Sequence, residues 1–353
     1  MKVLPVLSLF SGPGGLDLGF EQAGFSPLLA LDNDPAAVET YNWNRRSHGE
    51  AARIADLAST EPATIASWWS SKAGENVAPV GIIGGPPCQA FSVSNVHKLK
   101  DDPRAKLPLA YARILRSLNT RFNLKFFVFE NVAGLGHRPH SSSLEMFLKE
   151  FDSAGFDVKT FYLDAVNYGV PQHRNRMFIV GFNRARYCVQ NFPRPKEDGR
   201  RQTVREAIGH VVEPMYFSRR LKPVEAGLHP NHWCLNPRSP KFNNGALKPG
   251  EMLGRSFRML DWDSPSWTVA YGHREVHVHP DGRRRLSVYE AMLLQGFSPE
   301  FVLRGTLSDQ IRLVSDAVPP PVAYALALGI RDFLAQPTRP ARANEQVAAS
   351  GQT

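Results

Sequence analysis

Four short apolar runs, each followed directly by a turn of chemically distinctive residues, constrain the fold of this 353-residue chain. The runs lie at residues 6–10, 28–31, 80–83 and 126–129. Their shortness and apolar character predict buried strands, which are typical of a parallel sheet covered on both faces. Ligands of such sheets bind outside the carboxyl ends of the strands. If the four strands are parallel, the turns that follow them meet at one edge.

The first turn is rich in glycine. Residues 11–15 read Ser-Gly-Pro-Gly-Gly, and apolar residues at helical spacing follow them. A strand, a Gly-rich turn and a helix form the opening of a nucleotide-type βαβ unit. Glycine lets the backbone approach a ligand closely, and the helix N-terminus offers free N–H groups. The turn lacks the GxGxxG spacing of a dinucleotide site.

The second turn is acidic. Asp32 ends the second run, where a carboxylate can accept hydrogen bonds from both hydroxyls of a ribose. It could instead cap the next helix, as could Asp34, which directly precedes Pro35. We assign the cap to Asp34 and ribose binding to Asp32. A third acidic residue, Asp56, reads as a turn residue on local grounds alone.

The third turn carries a cysteine, within the string GGPPCQAFS. Two prolines stiffen the chain directly before Cys88, which places the thiol as a nucleophile would be placed. Most free cysteines are, by contrast, small buried hydrophobes. Residues 89–107 have no long apolar period, so they form either a solvated loop or a lid whose basic and hydroxyl groups meet phosphates.

Two further polar features follow. Glu130 ends the fourth run and is predicted to face the same edge, although a lone Glu there could be a cap or a surface group. Gln172, Arg174 and Arg176 alternate along an extended segment, so they are expected to point the same way. Such a row suits contacts with phosphates and base carbonyls, and equally suits a ladder of salt bridges.

Composition narrows the class of protein. The formal net charge of +9 favours a polyanionic partner, with nucleic acid first. The three cysteines are far apart and form no CxxC pair, which argues against a disulfide framework or a metal site and for a reducing compartment. No apolar run reaches the length of a transmembrane helix, and the N-terminus does not read as a signal peptide. We therefore expect a cytoplasmic protein with no membrane association.

Taken together, the motifs resemble those of the C5-cytosine-specific DNA methyltransferases of prokaryotic restriction–modification type. The resemblance rests on Phe10-Ser-Gly12-Pro-Gly14, Pro-Pro-Cys88-Gln, Glu130-Asn-Val and Gln172-x-Arg174-x-Arg176, in family order. It spans about residues 7–334. It implies an α/β fold: a Rossmann-like S-adenosylmethionine-dependent methyltransferase domain with a mostly parallel sheet, and a smaller irregular target-recognition domain.

The resemblance also implies the domain organisation. Residues 1–182 would form the catalytic and cofactor-binding domain, and 183–285 the target-recognition domain. Residues 286–335 would return to the catalytic domain. The polar, Pro- and Ala-rich composition of residues 336–353 predicts a disordered tail. We expect the tryptophans of the recognition domain to form its small core, and the run Arg283-Arg284-Arg285 to be solvated near the hinge.

The resemblance assigns roles to individual residues. Cys88 would add to C6 of a flipped-out cytosine, Glu130 would act at N3, and Arg176 would hold O2 with support from Arg174. The predicted cofactor contacts are Phe10, Gly12, Gly14, Gly15, Leu16, Asp32, Asn33, Asp56, Leu57, Pro86, Asp316 and Val318. The predicted DNA contacts are Gln89, Ser92, Ser94 and Gln172. Ser315-Asp316 departs from the usual Gly-Asn, which puts one cofactor contact in doubt.

The expected partners are S-adenosylmethionine and double-stranded DNA, with a separately encoded restriction endonuclease. We expect a nucleoid-associated monomer. One alternative is a tRNA cytosine methyltransferase of the same fold, whose Cys-Phe-Thr signature is replaced here by Cys234-Leu235-Asn236. Another is a catalytically silent nucleic-acid-binding homologue, against which the intact Cys88, Glu130 and Arg176 argue.

Overall fold

The computed structural model describes residues 3–87, 107–137, 140–254, 257–268 and 277–336. Its main sheet contains the strands β1 (Leu4–Leu9), β2 (Phe25–Asp32), β3 (Ala52–Ile54), β4 (Gly81–Gly84), β5 (Phe126–Val132), β6 (Phe156–Asp164) and β7 (Asn175–Asn183). The α-helices are α1 (Gly15–Gln22), α2 (Pro35–Asn44), α3 (Pro62–Ala73), α4 (Leu107–Phe122), α5 (Ser141–Ser153), α6 (Val204–Ile208), α7 (Val288–Leu294), α8 (Leu307–Asp316) and α9 (Pro320–Leu334).

The seven strands lie in the order β3-β2-β1-β4-β5-β7-β6. The first five are parallel, and β7 runs antiparallel to both of its neighbours. The four predicted strands correspond to β1, β2, β4 and β5. They are parallel and lie side by side in the order β2-β1-β4-β5. The turns that follow them share one edge of the sheet, as expected.

Helices cover both faces of the sheet. Side chains of α3, α4 and α5 form one apolar cluster with the sheet, and α1 and α9 form another with its opposite face. Contact between α1 and α9 is close because glycine replaces a side chain where they meet. An ideal Cβ on Gly19 would lie 2.4 Å from the backbone nitrogen of Tyr324. The C-terminal segment thus returns to the helix that follows the Gly-rich turn.

Small irregular sheets lie between β7 and α7. In one, β8 (Met215–Tyr216) pairs with β9 (Trp233–Cys234). The other joins β10 (Met252–Leu253), β11 (Phe257–Met259) and β12 (His277–Val278).

The apolar side chains of this region pack on the C-terminal helices. Trp233 joins the cluster of α7 and α8, and its Nε1 donates to Oε1 of Gln310 at 2.8 Å. Trp262 and Trp267 pack against a second cluster that includes Leu286 of the C-terminal segment. Trp233 is thus a core residue, as predicted, whereas Trp262 and Trp267 are partly buried against a core, and both clusters include residues of the C-terminal segment.

The prediction that Arg283, Arg284 and Arg285 are all solvated is wrong for Arg284. Arg284 is 2% exposed, and its guanidinium makes two 2.9 Å hydrogen bonds to the carboxylate of Glu290. Its Nε also donates to Glu213 at 2.8 Å. Because Glu290 is fully buried in α7, its charge requires a buried cation, and Arg284 supplies it. Arg283 alone of the three is exposed.

Helices α8 and α9 together form the one stretch of the described chain that is apolar and long enough to cross a membrane by length and composition. Its most apolar window is 67% buried inside the protein. The backbone leaves the helical conformation between the two helices, at Ala317. Burial at this level is what core helices of a globular protein show.

Candidate active site

The turn after β1 is held in an unusual backbone conformation. Phe10, Gly12 and Gly14 all have left-handed φ angles, of 52°, 54° and 93°. This conformation costs Phe10 about 1–2 kcal/mol, which its surroundings must offset. An ideal Cβ on Gly12 would meet no atom of the described residues within 4 Å, so space is open on this side of the turn. The N-terminus of α1 follows, with N–H groups that have no intrahelical partner.

Asp32, at the end of β2, braces this turn. Its Oδ2 accepts from the backbone N–H of Gly12 at 2.7 Å, and its Oδ1 accepts from that of Asp34 at 2.9 Å. Burial raises the pKa of Asp32 above its ordinary value. Each carboxylate oxygen can still accept a second hydrogen bond from a ligand hydroxyl. Asp34 caps α2 through the backbone N–H of Ala36, as predicted.

Asp56 lies beyond the end of β3, the strand beside β2. Its Oδ1 accepts from the backbone N–H of Ala58 at 3.0 Å, and its Oδ2 accepts from Oγ of Ser59 at 2.8 Å. The exposed carboxylate thus shapes its own turn, while the neighbouring Leu57 is buried.

Glu130 and Arg176 form an ion pair at the same edge of the sheet. Nε of Arg176, in β7, lies 3.2 Å from Oε1 of Glu130, in β5. An ideal Cβ on Gly85 would lie 2.6 Å from Oε2 of Glu130, so the carboxylate rests against the turn after β4. The amide of Asn131 also reaches this turn, donating to the carbonyl of Pro86 at 3.4 Å.

The charges around Glu130 set its protonation. Burial raises its pKa, Arg176 and Arg174 lower it, and Asp316 raises it further, with a net shift upward. The carboxyl group therefore holds its proton more readily than an ordinary glutamate does.

Arg174 connects this site to the C-terminal segment. Its guanidinium is buried and donates to the carbonyl oxygens of Ser315 and Ala317, the latter at 3.0 Å. These carbonyls flank Asp316, at the end of α8. Burial raises the pKa of Asp316, and Arg174 is the first of the cations that lower it. Arg174 therefore fixes the residues around Asp316 beside Glu130.

The arrangement agrees with what comparison with known proteins finds. The family model for the C-5 cytosine-specific DNA methylases matches residues 4–331. This chain belongs to that family. It is 32% identical to the Type II methyltransferase M.FnuDI of Fusobacterium nucleatum, over 94% of this chain and 95% of the relative. It is 31% identical to the Type II methyltransferase M.MthTI of Methanothermobacter thermautotrophicus, over 94% of this chain and 98% of the relative.

Solved structures share the fold. One, from E. coli, is described as a candidate DNA modification methyltransferase encoded within a prophage. It matches with a TM-score of 0.75 at 23% identity, covering 94% of this chain and all of its own. The S. pombe Dnmt2 methyltransferase matches with a TM-score of 0.63 at 18% identity, over 94% and 99% of the two chains. The predicted Rossmann-like methyltransferase fold is confirmed.

The methylase is a DNA (cytosine-5-)-methyltransferase that uses S-adenosylmethionine as methyl donor. The residues at the sheet edge fit this cofactor. The open space beside Gly12, the free N–H groups of α1 and the carboxylate of Asp32 suit a nucleoside with a polar tail.

Gln172 is the described site residue whose surroundings differ from its predicted role. Gln172 is fully buried, and its amide has no hydrogen-bond partner among the described residues. The backbone around it pairs with Ser266, which donates to the carbonyl of Pro171 at 2.9 Å. In this conformation the side chain of Gln172 is closed to solvent, so a contact with DNA requires this junction to open. Cys88, Gln89, Ser92 and Ser94 lie outside the described residues of the methylase.

Sequence reasoning missed two residues at this edge. Gly85 has no side chain that would displace the carboxylate of Glu130. This requirement for glycine is set by β5, which is distant in sequence. Asp17 is a fully buried carboxylate directly beneath the Gly-rich turn. Its position within the apolar spacing of Leu16, Leu18 and Phe20 is a signal that could have identified it.

Proposed function

We propose that the methylase transfers a methyl group to C5 of a cytosine flipped out of a short duplex DNA sequence, through a covalent bond between Cys88 and C6. One observation carries the proposal. The Glu130 carboxyl, with its raised pKa, is paired with Arg176 and packed against the turn that leads to Cys88. The Gly-rich turn lies at the same edge of the sheet.

C5 of cytosine is too weak a nucleophile to accept a methyl group unaided. The reaction therefore requires an enzyme nucleophile that activates the ring. Addition of the Cys88 thiolate to C6 places electron density on C5. A free thiol has a pKa near ~8.5 and needs nearby positive charge to ionise. When bound, the cofactor supplies a methyl group on a positively charged sulfur.

Glu130 and Arg176 would stabilise the adduct. Glu130 would give a proton or hydrogen bond to N3 and accept one from the exocyclic amine. Arg176 would orient this carboxyl and hold O2, and Arg174 would support both through the C-terminal segment. After methyl transfer, loss of the C5 proton to a base and departure of the Cys88 thiolate restore the aromatic ring.

C5 and C6 are inaccessible inside a stacked duplex, so the base has to leave the stack. Flipping costs a few kcal/mol. Phosphate contacts offset this cost, and the net charge of +9 favours them. By the resemblance, Gln89, Ser92, Ser94 and Gln172 would contact DNA.

The cofactor would lie on the Gly-rich turn, with its ribose on Asp32 and its adenine amino group on Asp56. The full proposed set is Phe10, Gly12, Gly14, Gly15, Leu16, Asp32, Asn33, Asp56, Leu57, Pro86, Asp316 and Val318. The close approach of α9 to α1 supports the inclusion of Val318, whose carbonyl packs on Gly15.

We further propose that residues 1–182 and 286–335 form the catalytic domain, that 183–285 read the DNA sequence, and that 336–353 form a disordered tail. The irregular sheets between β7 and α7 support this division. A separately encoded endonuclease would share the target, as the Type II names of the relatives suggest. The methylase would act as a monomer at the nucleoid, in the cytoplasm.

The test is bisulfite sequencing of random-sequence duplex DNA treated with S-adenosylmethionine and enzyme. We expect the wild type to protect one cytosine in a fixed short context, and Cys88→Ala to protect none. Glu130→Gln should slow methylation at least 100-fold without weakening cofactor binding. Glu251→Gln, at an exposed position, is the matched control. Protection by Cys88→Ala would refute the covalent step, and no protection by the wild type, with methylation of tRNA, would refute the DNA substrate.

A further inference from the structure

A fully buried carboxylate lies beneath the Gly-rich turn. Asp17, in the first turn of α1, accepts a 3.0 Å hydrogen bond from Oγ of Ser8 and a 2.9 Å hydrogen bond from the hydroxyl of Tyr41. Ser8 belongs to β1 and Tyr41 to α2. One side chain therefore ties together the three elements that surround the turn.

Arg45 extends this network to the turn itself. Its guanidinium lies 3.8 Å from the centre of the Tyr41 ring and makes two hydrogen bonds to Glu21, of 2.6 and 3.0 Å. Its Nη2 is 3.5 Å from the carbonyl oxygen of Gly14. An ideal Cβ on Gly14 would lie 2.8 Å from both Nη1 of Arg45 and the Tyr41 ring. Gly14, in its left-handed conformation, thus rests directly on Arg45 and Tyr41.

A buried carboxylate is costly unless it is paired. Burial raises the pKa of Asp17 to about 6, against the opposing effect of Arg45. The charge of Asp17 therefore destabilises the fold at neutral pH. Packing alone does not explain why a charged residue occupies this buried position. What the charge does is fix Tyr41 and attract Arg45, the two side chains on which Gly14 rests.

We propose that Asp17, Tyr41 and Arg45 are positioning residues that hold the Gly-rich turn in the conformation that binds S-adenosylmethionine. The inference rests on the proposed placement of the cofactor on this turn. All three residues act through Gly14 and α1 and touch no reacting atom. Their loss should raise the Kd and KM for the cofactor while leaving kcat at saturating cofactor unchanged.

The test is calorimetric titration of the full chain with S-adenosylmethionine. Asp17→Asn keeps the shape but removes the charge and one of the two acceptor oxygens, and Tyr41→Phe removes the hydroxyl that donates to Asp17. We expect about a tenfold higher Kd for each, the loss of one hydrogen bond to a charged group. Tyr111→Phe is the control, because its hydroxyl is equally buried and donates to Val128 at 2.8 Å, away from the turn. It should retain the wild-type Kd.

Measuring the Kd for the cofactor at several pH values distinguishes a positioning role of Asp17 from a purely structural one. Arg45 and Glu21 are the charged groups that face Asp17, and Asp32 titrates in both proteins. The ratio of Kd between Asp17→Asn and the wild type should therefore fall toward one as the pH drops below about 6. Unchanged Kd with lowered melting temperature would overturn the inference.

A second variant distinguishes failure of the inference from failure of the cofactor placement. Asp32→Ala removes the carboxylate that holds Gly12 and is proposed to bind ribose. If it loses cofactor affinity while Asp17→Asn does not, the positioning role is refuted and the placement stands. If Asp32→Ala and Gly12→Val both bind the cofactor as the wild type does, the placement itself is refuted.

Discussion

The carbonyl oxygen of Val318 lies 2.2 Å from the position that a Cβ on Gly15 would occupy. No side chain fits between the N-terminus of α1 and the chain entering α9. Residues more than 300 positions apart thus meet at the Gly-rich turn, and the C-terminal segment would form part of the wall of the proposed cofactor site.

Gly15→Ala should therefore force α1 and α9 apart. We expect a loss of ~1–3 kcal/mol in the free energy of unfolding, as for other overpacked sites, and at least a tenfold loss of cofactor affinity. Gly329→Ala, in α9, is the control, because a Cβ there would meet only the Phe192 ring at an ordinary contact distance of 3.6 Å. Urea denaturation and calorimetry measure the two effects. Wild-type values for Gly15→Ala would contradict the close contact.

Asp316→Asn should change the pH dependence of catalysis. The negative charge of Asp316 helps to raise the pKa of Glu130, so a neutral amide should lower that pKa. If protonated Glu130 is required at N3, the alkaline limb of the kcat/KM profile for DNA should move to lower pH. The profile is measured at saturating cofactor, with the exposed Asp332→Asn as control. An unmoved limb would show that Asp316 does not act on Glu130.

Local sequence was sufficient to predict the strands that build the sheet edge. Short apolar runs bounded by Gly, Pro and Asp identify β1, β2, β4 and β5. No helix was predicted for α3 or α8. Both have apolar residues at helical spacing: Ile65, Ala66 and Trp69 in α3, and Leu307, Ile311 and Val314 in α8.

The contacts that organise the site were not predictable in this way. Arg174 binds carbonyls 141 and 143 residues away, and Gly85 is constrained by Glu130 on another strand. The sequence shows an arginine in a motif, but not whether it faces DNA or the protein interior. Such pairings depend on which strands become neighbours, which no local pattern encodes.

The neighbours Arg283 and Arg284 should differ sharply in their effect on stability. Arg284→Met leaves the fully buried Glu290 without its principal cation, which typically costs ~3–5 kcal/mol. Arg283→Met changes an exposed side chain and should cost under ~0.5 kcal/mol. Urea denaturation of the two variants tests this. Equal effects would mean that the pair in the structure does not hold α7 in place.

Asp17 should make the stability of the methylase depend on pH in a defined window. Burial raises its pKa from the ordinary 3.8 to about 6, so the folded state binds this proton more tightly than the unfolded state. Stability from this group is complete below pH 3.8 and is lost as the pH rises through about 6. A shift of this size in the pKa of Asp17 corresponds to a change of ~3 kcal/mol in the free energy of unfolding.

The free energy of unfolding of Asp17→Asn, minus that of the wild type, should therefore increase by ~2 kcal/mol between pH 4 and pH 7. Every other titrating group is shared by the two proteins and cancels in the difference. Urea denaturation across this range measures it, with Tyr111→Phe as a control whose difference from the wild type stays constant with pH. A flat difference for Asp17→Asn would show that folding does not raise the pKa of Asp17, and that Arg45 compensates its burial fully. A rise would show instead that the fold keeps this charge at a cost in stability, as expected of a residue retained to shape the cofactor turn.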